Sequence, residues 1–196
     1  MLEGLLAALR EVIAKIYRIR HWAVKQQLGD DVHIDDDHLY HGAALIQIAE
    51  SLRFTAINSL KIAKRVLGMG YLINDDVAVY LKYASEPNEA HEEYVFTFAE
   101  GHLSDLEKTA HKYEKTFIAL VCVQEREICC ISYAQLMELK AAREKSSGQK
   151  EGVLAVLVTA PKKKQLRVGV NAAHQKNNYA KVMKVARNAF PEVIFE

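Results

Sequence analysis

The chain has 196 residues, half of them apolar, with 26 Lys and Arg against 25 Asp and Glu and a formal net charge of +1. That length suits one domain of ordinary size, or one domain plus an appended helix, and 8% aromatics argue against a disordered chain. No run of about 18 uncharged apolar residues occurs, which excludes a membrane-spanning helix.

In chain order, residues 2–27 read as a long amphipathic helix. Leu2, Leu6, Leu9, Ile13, Ile16 and Ala23 recur at steps of four and three, and Leu5, Val12 and Ile19 widen the stripe. Such a helix either packs on its own domain or offers a docking seam to a protein partner or a second copy. Arg10, Glu11 and Lys15 interrupt it, so it does not read as a secretory signal. A second helix is expected from His38 to Leu52, capped by an aspartate, with Leu45, Ile48, Ala49 and Leu52 on one face. Tyr71–Ile73 reads as a short strand, Asn74-Asp75-Asp76 as a turn, and Val77–Tyr83 and Tyr94–Phe98 as strands. Leu103–Lys115 returns to helical spacing. Phe117–Val123 is nearly all apolar, as a strand covered on both faces must be. Glu127–Tyr133 is its neighbour, and Ala134–Arg143 is helical. Val153–Thr159 and Gln165–Val170 form a hairpin tipped by Ala160-Pro161-Lys162-Lys163-Lys164. Asn178–Asn188 reads as a last helix, and the closing PEVIFE as an edge strand.

This order predicts an α/β (α+β) fold with a mixed central sheet flanked by helices. The expected organisation is a single domain over 1–196, with an N-terminal helix at 1–28, a core at 38–143 and a basic C-terminal hairpin and helix at 152–196.

Charge is balanced in sum but not along the chain. Residues 83–107 carry seven acids and no Lys or Arg, whereas 152–191 carry eight bases and no acid. An electrostatically polarised surface follows unless the two blocks pair with each other. Lys162, Lys163, Lys164 and Arg167, followed by Lys176 and Lys181, are the candidate phosphate contacts.

Other motifs are weaker. Five aspartates and His33, His38 and His41 crowd residues 30–41, but capping and solvation of a helix start explain such a run without a metal. Cys129 and Cys130 would point to opposite faces of a strand, so they cannot readily chelate one ion. With Cys122 they read as small buried hydrophobes in a reducing, cytoplasmic setting. Gly68-Met69-Gly70 is too short for a phosphate-binding loop.

The order helix, strands, helix, two strands from about His41 to Lys140 resembles the core of the PD-(D/E)xK restriction-endonuclease-like superfamily. The resemblance implies a divalent cation held between an acid on one strand and the acid of an acid–x–Lys triplet on the next, the lysine assisting the attacking water. Here the triplet position is Tyr80-Leu81-Lys82: the lysine is present and a tyrosine replaces the acid. Glu50, on the preceding helix, matches a carboxylate that some members carry, and Asp75 and Asp76 are the nearest acids upstream. The resemblance therefore implies Lys82, Glu50 and Asp76 as remnants of a catalytic site, with no metal ligand assigned. Magnesium would be needed only if they formed a rearranged nuclease centre. The expected function is nucleic-acid binding by a degenerate nuclease-like protein. The alternatives are a non-enzymatic protein-interaction module (an adaptor, immunity or inhibitor protein) and an active metal-dependent nuclease.

Overall fold

A computed structural model describes residues 34–175 and 178–196. The chain partitions at Asp36 into two compact units, and the described strands and helices build the second of them, Asp37–Glu196. The predicted N-terminal helix, His33 and Lys176 lie outside the described residues.

Helix α1 spans Asp36–Glu50 and buries His41, Ala44 and Ile48, a spacing of three and four that marks one face. This corrects the expected face: Ala49 and Leu52 are exposed, and the helix ends two residues earlier. Strands β1 (Ile57–Ile62), β2 (Arg65–Ile73) and β3 (Val77–Ala84) follow as an antiparallel meander. Gly70 fits there because a Cβ would stand 2.9 Å from the Leu60 side chain. After β4 (Tyr94–Phe98) and α2 (Glu100–Lys112), β5 (Lys115–Cys122) lies parallel to β3 over eight paired residues. Strand β6 (Glu127–Ser132) closes this first sheet, whose order is β1-β2-β3-β5-β6. Strands β3 and β5 are buried over most of their length, which is why VAVYL and FIALVC are continuous apolar runs.

Helix α3 (Tyr133–Ser147) begins with a reciprocal cap in which the Ser132 side chain accepts from Gln135 N–H and the Gln135 side chain accepts from Ser132 N–H. It ends at Gly148, whose φ of 71° is the left-handed cap that glycine adopts freely.

A second sheet, fully antiparallel, is ordered β4-β7-β8-β9, with β7 at Leu154–Thr159, β8 at Leu166–Asn171 and β9 at Tyr179–Val185. Two expectations change here. The strand YVFTF belongs to this sheet and not to the central one, so the fold has one mixed and one antiparallel sheet flanked by helices. The segment read as a last helix is strand β9, whose backbone pairs with β8 from Leu166↔Val185 to Asn171↔Tyr179. Tyr179, Val182 and Met183 fit helical spacing in sequence, but the free edge of β8 offers that backbone a ladder, and tertiary context prevails over a short pattern. The chain then closes in a 3-10 turn, Glu192–Phe195, in place of the expected strand, burying Ile194 beside Phe190.

The two larger apolar clusters among the described residues follow from the layers. One lies between the sheets and under α2 and α3, and includes Tyr80, Phe96, Phe98, Leu120 and Val156. The other lies under α1 and includes Ala44, Ile48, Val79, Leu81 and Val121. Cys129 joins the first and Cys130 the second, as strand alternation requires. All three cysteines are buried and free, and burial raises each thiol pKa, so they pack as neutral side chains.

Candidate nucleic-acid interface

The residues implied by the nuclease resemblance do not converge. Asp76 precedes β3 and Lys82 lies six residues along it, a separation of about 20 Å at strand rise. Glu50 is the last residue of α1 and is exposed. The α1 carboxylate whose field reaches Lys82 is Asp37, thirteen residues earlier and about 20 Å away along the helix. Lys82 itself is half-buried, its Nζ 5.5 Å from the centre of the Phe98 ring. Desolvation lowers its pKa, and Asp37 opposes that shift. At the acid position, Tyr80 is 3% exposed against the rings of Phe98 and His102, and burial pushes its hydroxyl up to about 12. The site position that should carry a carboxylate thus carries a neutral, packed phenol.

Asn74 and Asp75 of the β2–β3 turn have a structural role. Asn74 and Asp75 both have positive φ, 51° and 66°, the signature of a type I′ hairpin turn. The Asn74 side-chain carbonyl accepts from Thr55 N–H, Thr55 O–H and Ala56 N–H, while its amide donates to Arg53 O. Asp75 accepts from the Asn58 amide at 2.9 Å. Asn74→Ala should therefore cost about 2–3 kcal/mol in urea unfolding, since it loses those bonds and keeps a strained φ. Asn74→Gly should cost measurably less because glycine accepts that backbone. Equal losses would show that the turn conformation contributes nothing.

The Asp/His run is also divided. His38 is exposed, whereas His41 is 2% exposed, with its Nδ1 3.3 Å from the Tyr71 hydroxyl. Among the described residues no three His, Cys, Asp or Glu side chains cluster as a metal site. No helix among them is long and apolar enough to cross a membrane.

Of the basic C-terminal residues, Lys162, Lys163, Lys164 and Arg167 sit together at the β7–β8 turn and the start of β8. Lys162, Lys163 and Lys164 are exposed at the β7–β8 tip, where Lys163 has φ 58° and Lys164 N–H donates to Pro161 O. This tip is pinned from behind. The Arg187 guanidinium donates through Nε to Lys164 O at 2.6 Å, through Nη2 to Pro161 O at 2.9 Å, and through Nη1 to the Glu127 carboxylate. Arg187 is therefore a framework residue, counted in the sequence only as one base among eight.

Strand alternation decides which other cations join the tip. Leu166, Val168 and Val170 enter the core, so Arg167 and Gly169 face outward on β8. Arg167 pairs in register with Lys184 of β9, and both are exposed. Neither forms an ion pair among the described residues. Lys181 departs from the expected set: its Nζ lies 2.6 Å from a Glu138 carboxylate oxygen on α3. Among the described residues no ion pair joins the acidic block to the basic one: Lys181 and Arg187 take Glu138 and Glu127, which lie outside residues 83–107, and Asp105 takes Arg65. A cleft of about 440 Å³ is lined by Lys162 together with Glu92 and Glu125. Those carboxylates repel an anion there and leave the tip and the Arg167–Lys184 pair as the cationic approach.

No protein-family model, no curated protein and no solved structure matches this chain.

Proposed function

We propose that this chain is a nucleic-acid-binding protein whose restriction-endonuclease-like core has lost its catalytic centre. The observation that carries the reading is the Arg167–Lys184 pair, which has no counterion among the described residues. Like charges directly opposite on neighbouring strands are destabilising, and an anion bound between them removes that cost. The exposed lysines at the adjoining tip extend the same cationic margin. The element order supports the nuclease-like outline: a helix, a meander, and a helical crossover between parallel β3 and β5. Tyr80 in place of the acid, and the separation of Lys82 from Glu50 and Asp76, support the loss of catalysis. Three reduced cysteines accord with a cytoplasmic setting.

Fluorescence polarisation with labelled DNA and RNA across a salt series tests this. Affinity should fall steeply with log salt, the slope giving the number of phosphates engaged. Replacing Arg167 and Lys184 by Ala should flatten that slope by about 2. A probe left intact in magnesium supports a binder, and its cleavage would establish a nuclease. A second reading, a protein-interaction module, draws on Leu39 and Ile46, which stand 54% and 61% exposed along the outer face of α1. Absence of binding at low salt would transfer the assignment to it.

A further inference from the structure

The outward side of the second sheet carries more than cations. Across the strands, Val95, Leu157, Gly169 and Val182 stand in one row, set by the registers Val95↔Leu157, Leu157↔Gly169 and Gly169↔Val182. Tyr94, Phe96 and Phe98 fill the core from β4, so Val95 and Thr97 must point away from it. Val95 and Val182 are 43% and 40% exposed, and Thr97 and Ala155 are exposed beside them.

Over this row lies one aromatic ring. Tyr179 enters from β9 with a ring carbon 3.2 Å from where a Gly169 Cβ would stand, so the absent side chain is what lets the ring lie close to the sheet. Its hydroxyl donates to the Glu93 carboxylate, which reaches over from the other edge of the sheet and is 8% exposed. The hydroxyl is thus tied down at one end while the residue remains 37% exposed. The Arg167–Lys184 pair stands two residues along the strands from the Gly169 row, about 7 Å away.

We propose that this sheet face binds single-stranded nucleic acid, with a base stacked on Tyr179 and flanking phosphates on Arg167, Lys184 and the Lys162–Lys164 tip. The inference rests on the proposed nucleic-acid binding and specifies its ligand. Charge complementarity selects the occupant, since the cations of this margin call for a polyanion. The flat ring and apolar row select its form: base faces are open to stacking in a single strand and hidden in a duplex.

Polarisation titrations of the full chain with labelled single-stranded oligonucleotides of about 16 bases, DNA and RNA, and with the matching DNA duplex, decide the matter. The wild type should prefer the single strands. Tyr179→Ala should weaken single-strand binding roughly ten-fold to a hundred-fold and leave duplex binding unchanged. Tyr179→Phe, which keeps the ring, should bind nearly as the wild type does. Because Tyr179→Ala also removes the bond to Glu93, Val95→Glu provides a second probe on an exposed side chain, and it too should weaken single-strand binding.

Equal binding of single strands and duplex, unaffected by Tyr179→Ala or Val95→Glu, would overturn the stacking face while leaving the phosphate-binding reading intact. No binding by the wild type at low salt would overturn both. A dimer in sedimentation that Val95→Glu dissociates, without nucleic-acid binding, would assign the face to a second copy of the chain and overturn the proposal.

Discussion

Replacing Lys162, Lys163 and Lys164 together by Glu should weaken nucleic-acid binding by about 100-fold or more at 0.1 M salt and flatten the salt dependence by about 2 to 3. Each phosphate contact releases a counterion and contributes roughly 0.7–0.9 to the slope of log affinity against log salt. Three contacts therefore account for about two decades or more at 0.1 M salt, and charge reversal adds repulsion. The three side chains are exposed at a turn, so the fold should tolerate the change. A charge-matched control, Lys108, Lys145 and Lys150 to Glu, alters net charge equally at exposed sites away from the tip. If both triple variants lose affinity alike, only net charge matters and the tip has no special place. If the tip variant binds as the wild type does, the phosphate assignment is wrong.

Arg187→Ala should lower stability by about 2–3 kcal/mol, seen as a shift in the urea midpoint at constant slope. The guanidinium is partly buried, 23% exposed, and joins three acceptors from two places: Pro161 O and Lys164 O of the tip, and Glu127 of β6. Removing it leaves a carboxylate and two turn carbonyls without their donor. Arg187→Lys tests geometry against charge. An ammonium is a point donor and cannot span both carbonyls and the carboxylate as a planar fork does, so Lys should recover only part of the loss. Because the same fork holds the β7–β8 tip, both variants should also weaken phosphate binding. Full recovery of stability by Lys would show that charge alone sufficed and that the fork does not matter.

These two expectations differ in how far they could be read from residues. The lysine tip was legible because a hairpin between two β-rich runs, broken at Pro161 and followed by three lysines, has one reasonable conformation. Arg187 was not, because its partners lie 23 to 60 positions away, and only the pairing of β9 with β8 and the approach of β6 to β9 bring them to it. The same holds for Tyr179. Its neighbours Asn178 and Ala180 gave no sign that the ring crosses a sheet to Glu93, 86 residues earlier.

Local signals predicted elements where one pattern dominated. The runs at Val77–Tyr83 and Phe117–Val123 are strands buried on both faces, and Asn74-Asp75 closes a hairpin. They failed where a partner decided the outcome. Residues of β1 and the first half of β2 are too mixed in polarity to announce strands, and they exist because β3 supplies an edge. The span 178–188 has apolar residues at helical spacing, yet β8 takes it as a strand. YVFTF is a strand by composition in any context, but no local feature says which sheet it joins.

The mixed helix and strand content, the buried central strands, the neutral cysteines and the exposed lysine tip each follow from local polarity and backbone preference. Packing of distant segments sets which charges cancel and which remain. It pairs Lys181 with Glu138 and commits Arg187 to the framework, and it sets Arg167 against Lys184 without a counterion among the described residues. It also parts Lys82 from Glu50 and Asp76, since strand rise and helix rise set distances that no spacing in the chain can shorten.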